Sequence, residues 1–295
     1  MREAAQKSKA VGSQTKFFET IYKLKTGHPA AAAKGLEDIL CVVHDEFHAL
    51  ISQGVMGIQT EVDRFASESL DDNAKEVKKI LHYIRFEETC GRHYPKLDKG
   101  RGIMKLSDFC ANLKAKECGL SEAEVVAVRL YTTLAYSFMN DPLRDDDRYI
   151  QSKQCPLSVT THFATNGIKK LRALYANSRE TITLWRGMRN LEIADGFMEK
   201  GGTELAFMST TRDLAVAVRY CLSPKSLLLK LICPGFMTTG ADVHWLSAFP
   251  EEAEILFPPL TFLDPLGALR QSPSIEEAMS CPLLLLRFIR SWVDH

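Results

Sequence analysis

Near residue 181 the spacing of apolar side chains changes, and this switch limits the possible folds more than any other feature. Before it, apolar residues recur every three or four positions, as on one face of a helix. Leu36, Ile39, Leu40, Val43, Phe47 and Leu50 form a first series. Val55, Ile58, Val62, Phe65 and Leu70 form a second, weakened by Gly57. Val77, Ile80, Leu81 and Ile84 form a third, with Asp71 or Asp72 placed to cap it and a stop expected near Gly91. After the switch, short runs rich in β-branched and apolar residues alternate with Gly and Pro turns: Thr181–Gly187, Leu205–Thr211, Ser226–Cys233, Ile255–Phe257 and Leu260–Leu263. Leu214–Tyr220 supplies one or two helical turns among them. A helical half followed by short strands predicts an α+β fold with a mainly antiparallel β core and flanking helices.

The helical half has further punctuation. Ser107 is placed to cap a short helix to Cys118. Ser121 and Glu124 form a capping box. The helix it opens carries Val125, Val128, Leu130, Tyr131, Leu134 and Phe138, and is expected to end at Asn140 before Pro142. Asp145, Asp146 and Asp147 read as a solvated turn, and Val159 to Tyr175 as one more helix. His44 and His48 are one helical turn apart, but Asp45 stands where a zinc-protease signature needs Glu. With no third ligand evident, they read as two histidines on a polar face, and no metal is expected.

Composition excludes several classes. Equal numbers of acids and bases, 37 each, argue against a dedicated nucleic-acid binder. No apolar run reaches the roughly 18 residues of a membrane span, and no secretory h-region is visible, so a cytoplasmic protein is expected, an exported effector being the other option. The eight cysteines form no C-x-x-C pair, which reads as a reducing compartment without disulfides or zinc. Residues 1–34 are basic and read as a flexible leader, and residues 35–118 as a helical region of unknown role. Ile275 to Val293, within a tail over residues 267–295, reads as a helix that docks on the domain, with partner binding as the runner-up.

The stretch Phe249-Pro250-Glu251-Glu252-Ala253-Glu254-Ile255-Leu256-Phe257-Pro258-Pro259 stands out. An apolar run reads as a short buried strand, stopped by two prolines that cannot donate to a ladder. In an extended chain Glu252 and Glu254 share one face, roughly 7 Å apart. Alone, such an acidic turn is most often merely solvated.

Three pieces occur in order in the β half: Leu184-Trp185-Arg186-Gly187-Met188, then Phe207-Met208-Ser209-Thr210-Thr211, then Glu252-Ala253-Glu254. Together they resemble the arginine–serine–glutamate pattern of the mono-ADP-ribosyltransferases, and more narrowly the arginine-specific branch with its Glu-x-Glu element. Tyr131-Thr132-Thr133, Asn140-Asp141-Pro142-Leu143-Arg144 and Gly240-Ala241-Asp242-Val243 fit the same pattern. The resemblance covers roughly residues 120 to 265 and implies a catalytic domain over 119–266. It implies NAD as substrate, no metal, and transfer of one ADP-ribose to a protein arginine with release of nicotinamide. NAD glycohydrolysis or a non-catalytic interaction module are the alternatives.

The resemblance also implies roles. Glu254 bonds a ribose hydroxyl and stabilises the oxocarbenium-like state in which the nicotinamide bond breaks. Glu252 orients and deprotonates the acceptor guanidinium. Arg186 forks onto the phosphates. Gly187 lets the nicotinamide amide approach the backbone. Ser209 positions Glu254, with Thr210 beside it; Thr211 departs from the serine often seen there but keeps the hydroxyl. Tyr220 is a candidate to stack on nicotinamide, and Glu251 is a solvated neighbour.

Overall fold

The computed structural model describes residues 35–90, 93–174, 180–189, 197, 201–221, 226–235, 238–266 and 283–291. The basic leader over 1–34 lies outside these residues, as does Gly91, but the helix carrying Val77, Ile80, Leu81 and Ile84 already stops at Phe86, short of the end expected near Gly91. The chain divides into two units, one spanning Leu36–Leu174 and Asp242–Glu251, the other Tyr175–Ala241 and Glu252 onward. This division does not coincide with the boundary expected at residue 118.

The helical unit opens with α1 (Leu36–Leu40), α2 (His44–Ser52), α3 (Val55–Glu68) and α4 (Asp72–Phe86). The apolar series point inward: Ile39, Leu40, Phe47, Ile58, Val62, Val77, Ile80 and Leu81 are buried. Each such side chain contributes about 1.5–3 kcal/mol over an exposed one. Asp71 caps α4 by accepting from the Asn73 N–H at 2.9 Å. Gly57 sits inside α3 for a packing reason. A Cβ there would stand 1.9 Å from the Leu50 carbonyl oxygen, so glycine lets α2 and α3 meet.

The next segment differs from expectation in detail. Instead of one helix from Ser107 to Cys118 there are two, α5 (Leu106–Ala111) and α6 (Leu113–Glu117). Asn112 breaks the run because its side chain accepts from the Lys114 N–H at 3.0 Å and starts a new N-terminus. Lys105, not Ser107, holds the N-cap position of α5, its N–H donating to Asp108 at 2.7 Å.

The Ser121–Glu124 box opens α7 (Glu122–Leu130). A π-helical segment, Tyr131–Ala135, follows and runs into α8 (Tyr136–Leu143). Two consecutive hydroxyls turn back onto the helix there, Thr132 to the Arg129 carbonyl at 2.8 Å and Thr133 to that of Leu130 at 2.6 Å. The helix passes the expected stop at Asn140 and includes Pro142, which sits late in the last helix. The triple aspartate is not a bare turn: Asp145 caps α9 (Asp146–Ile150). Then α10 (Ser158–Ala173) begins on a buried acid. Glu61 of α3 accepts from the N–H groups of Val159 and Thr160 at 2.7 and 2.9 Å, and from the hydroxyls of Ser158 and Thr160.

The second unit is built on β1 (Ile182–Arg189), β2 (Gly202–Glu204), β3 (Met208–Thr211), α11 (Leu214–Tyr220), β4 (Ser226–Cys233), β5 (Ala241–Asp242), β6 (Glu254–Phe257), β7 (Thr261–Pro265) and β8 (Leu283–Ser291). They form one sheet in the order β2-β7-β8-β4-β1-β3-β6-β5. The pairing is antiparallel apart from β4 with β8, which is parallel, among the pairs whose register is described. The α+β reading with a mainly antiparallel core therefore holds.

Two expectations fail here. The run Leu205–Thr211 is a strand only from Met208, and a separate strand, β2, precedes it. The C-terminal helix expected over 275–293 is instead strand β8 at 283–291. Four consecutive leucines followed by Phe288 and Ile289 give no clean period, and such a run suits a central strand bordered on both sides as well as it suits a helix. The partner-binding helix falls with it.

Candidate active site

The centre of the sheet brings the three motif pieces together. Trp185 of β1 pairs with Thr211 of β3, and Thr211 pairs with Glu254 of β6. These three residues form one row across three strands, so their side chains leave the same face. Glu254 opens β6 and is 1% exposed.

Arg186 and Ser209 also meet, though through the backbone. The Arg186 guanidinium donates to the Ser209 carbonyl at 2.9 Å. On its other side stands Glu204, fully buried, with a carboxylate oxygen 4.0 Å from the guanidinium. The other oxygen of Glu204 accepts from the Ala206 N–H at 2.9 Å. Arg186 thus keeps a fixed place at the sheet with 18% of its side chain exposed. Glu204 ends β2, a strand the sequence reading does not include; an acid directly before Leu205-Ala206-Phe207 is the available signal.

The direct cross-strand neighbour of Glu254 is Thr211, whereas Ser209 lies opposite Leu256. That register puts Ser209 diagonal to Glu254, about 7–8 Å between backbones. The Thr211 hydroxyl accepts from the Asp213 N–H at 3.1 Å, just before α11. Thr210 is buried, its hydroxyl donating to the Ile255 carbonyl at 2.8 Å, so it fastens β3 to β6.

Glu252 and Glu254 do not lie on one extended face. Pro250–Glu252 is a single 3-10 turn, and Ala253 follows with φ of 45°. A proline at the first position favours the turn, and the left-handed Ala253 costs about 1 kcal/mol that the sheet must outweigh. The two acids consequently have different surroundings. Glu254 is buried, whereas Glu252 is half-buried and accepts from the Tyr220 hydroxyl at 2.9 Å. Glu251 is exposed, as expected of a solvated neighbour. Tyr220, read from the sequence as a stacking ring, is bonded to the acid.

Gly187 has a packing role. A Cβ there would lie 1.9 Å from the Ala217 carbonyl oxygen and 2.9 Å from the Cys221 sulfur. Its missing side chain lets α11 lie against β1, where Ala217, Cys221, Leu228, Trp185 and Leu214 pack. The same contact delivers Tyr220, the last residue of α11, to Glu252.

A family model, ADP-ribosyltransferase exoenzyme, matches residues 104–261. The chain belongs to this family. Its members use NAD as substrate, and their chemistry requires no metal. No curated protein matches this chain in a sequence search. Among solved structures it is similar to the ADP-ribosyltransferase HopU1 of Pseudomonas syringae pv. tomato, at 18% identity and a TM-score of 0.45 over 65% of this chain and 91% of that one. It is also similar to a truncated type III effector, XopAI, from Xanthomonas axonopodis pv. citri, at 12% identity and a TM-score of 0.48 over 92% and 99%. The C3 exoenzyme of Clostridium limosum matches at 15% identity and 0.45 over 65% and 98%.

Away from the motif residues, one group could hold a metal ion among the described residues. Glu37 lies 3.7 Å from the Nε2 atoms of both His44 and His48, a neighbour of the pair that the sequence did not reveal. The two histidines are exposed, and the three side chains are at ion-pair distance. Among the described residues no helix is long and apolar enough to cross a membrane.

Proposed function

We propose that this protein transfers a single ADP-ribose from NAD to an arginine of a protein substrate, releasing nicotinamide, through a catalytic domain over residues 119–266. The observation that carries the arginine reading is the pair of unlike acids. Glu254 is buried, while Glu252, two residues earlier, is half-buried and held by Tyr220. A buried carboxylate beside the ribose stabilises positive charge as the bond between ribose and nicotinamide breaks and the electron pair leaves with nicotinamide. A second carboxylate at the opening can pair with a guanidinium and take its proton as its nitrogen bonds the ribose carbon. Arg186 binds the phosphates of NAD, and Ser209 supports the acid strand. Gly187 and Thr210 serve by holding α11 to β1 and β3 to β6, with Tyr220 directing Glu252.

The test is incubation with NAD and a lysate, followed by mass spectrometry of modified peptides, with Glu254→Gln as blank. ADP-ribosyl-arginine that depends on Glu254 is expected. Modification confined to another residue type would remove the arginine assignment. NAD turnover equal in wild type and Glu254→Gln would remove the catalytic assignment. In Glu252→Ala, NAD hydrolysis is expected to survive while transfer to agmatine is lost.

A further inference from the structure

Three side chains of the helical unit meet at one point and have no part in the transferase reading. Glu37 stands in the first turn of α1, and His44 and His48 are one turn apart on α2. A helix running straight on from Glu37 would carry it about 10 Å along the axis from His44. The break between α1 and α2 is what builds the group. The Cys41 N–H donates to the Asp38 carbonyl at 3.0 Å, and the Val42 N–H to the Glu37 carbonyl at 3.5 Å. Cys41 has a φ of 51°. This is the Schellman ending, with cysteine in the left-handed place that glycine usually fills. The chain then enters α2 in a new direction, and one carboxylate oxygen of Glu37 lies 3.7 Å from Nε2 of each histidine.

Each helix is fastened by contacts other than this group. On α1, Arg148 donates to the Ile39 carbonyl at 2.6 Å, the Cys155 N–H to the Leu40 carbonyl at 2.9 Å, and the Tyr149 hydroxyl to Asp38 at 2.7 Å. On α2, Phe47 and Leu50 are buried. The backbones that carry the three side chains are therefore held in place before any ligand arrives, which lowers the cost of binding one.

The spacing suits a metal ion. Zinc takes imidazole nitrogen and carboxylate oxygen at about 2.0–2.2 Å, so neighbouring ligand atoms of a tetrahedral ion lie roughly 3.3–3.5 Å apart. Here both nitrogen–oxygen separations are 3.7 Å, and all three atoms lie within 4.8 Å of one another. The imidazoles are exposed and close the remaining gap by rotating their side chains. Water completes the fourth position. Two nitrogens and one oxygen favour a transition ion over magnesium or calcium, which take oxygen ligands.

We propose that Glu37, His44 and His48 bind a divalent transition-metal ion of the zinc type and so staple α1 to α2. Each histidine, neutral, gives Nε2 to the ion, and Glu37 gives one carboxylate oxygen. The site is independent of the transferase reading, since no step of the reaction passes through it and the family's chemistry requires no metal.

The test is calorimetric titration of the full chain with zinc chloride, after stripping with a chelator and with the thiols kept reduced. One equivalent should bind at this site. His44→Ala and His48→Ala touch exposed side chains and spare the core. Each removes a ligand and should weaken that binding by at least about a hundredfold, and Glu37→Gln by about tenfold. His82→Ala removes an exposed histidine of α4 outside the group and should change nothing. Cobalt in place of zinc separates this site from the cysteines, because thiolate ligands add intense charge-transfer absorption and imidazole and carboxylate do not. A cobalt spectrum without that absorption, altered in His48→Ala, is expected. Zinc uptake equal in wild type and His48→Ala overturns the proposal, and so does a spectrum of thiolate type or displacement of zinc by equimolar magnesium. In those cases the group is an ordinary exposed ion pair.

Discussion

The Tyr220 hydroxyl donates a 2.9 Å hydrogen bond to Oε1 of Glu252. It connects the end of α11 to the acid assigned to the acceptor. Removing the hydroxyl while keeping the ring separates that function from packing. Tyr220→Phe should reduce transfer to agmatine about tenfold, the worth of one hydrogen bond to a charged group, and leave NAD hydrolysis within about twofold. Parallel assays of both reactions check it, and equal loss in both would assign Tyr220 to NAD instead.

Gly187→Ala tests the packing of α11. The added methyl would meet the Ala217 carbonyl at 1.9 Å, a backbone atom that cannot move without shifting the helix. We expect a loss of about 2–4 kcal/mol in urea denaturation, together with a larger loss of transfer than of hydrolysis, because Tyr220 rides on α11. Unchanged stability would mean that the helix relaxes freely.

Glu204→Gln tests the support of Arg186. The amide keeps the size and can still accept from Ala206, but the charge 4.0 Å from the guanidinium is gone. Arg186 should be less firmly placed, and KM for NAD should rise about threefold to tenfold with kcat little altered. A calorimetric titration with a non-hydrolysable NAD analogue measures the same effect without turnover.

Glu61 gives a pH signature in the helical unit. Burial pushes its carboxyl up to about 7, against the hydrogen bonds from Val159, Thr160 and Ser158 that pull it down. Between its ordinary value, near 4.5, and about 7, the folded chain binds a proton that the unfolded chain has released. The associated stability is complete below the unfolded value and is lost as pH rises through about 7. Urea midpoints measured from pH 4.5 to 8 should fall by an amount corresponding to about 3 kcal/mol at most, and Glu61→Gln should flatten that slope.

The legible parts of this chain were those where one period or one pattern dominates. Leu214–Tyr220 and Ser226–Cys233 appear with the bounds their flanking prolines and polar residues suggest. Arg186, Ser209 and Glu254 stand out by their order along the chain, and β1, β3 and β6, which carry them, are neighbours in the sheet. Their contacts were not legible. The register that sets Thr211 opposite Glu254 depends on pairing between segments more than 40 residues apart, which no local pattern encodes. The turn that separates Glu252 from Glu254 depends on a left-handed Ala253, and alanine gives no hint of that conformation. Glu204 and Asp98 look like ordinary surface acids in the sequence; only tertiary structure buries them beside Arg186 and Arg129.

Strand β8 lies between β4 and β7, so residues 283–291 hold the two parts of the sheet together. During synthesis, β2 and β7 have no route to β4 until residue 291 has left the ribosome. The sheet is therefore completed only after its other seven strands have been made, and a message truncated before residue 283 would yield a chain with two unpaired edges open to other chains.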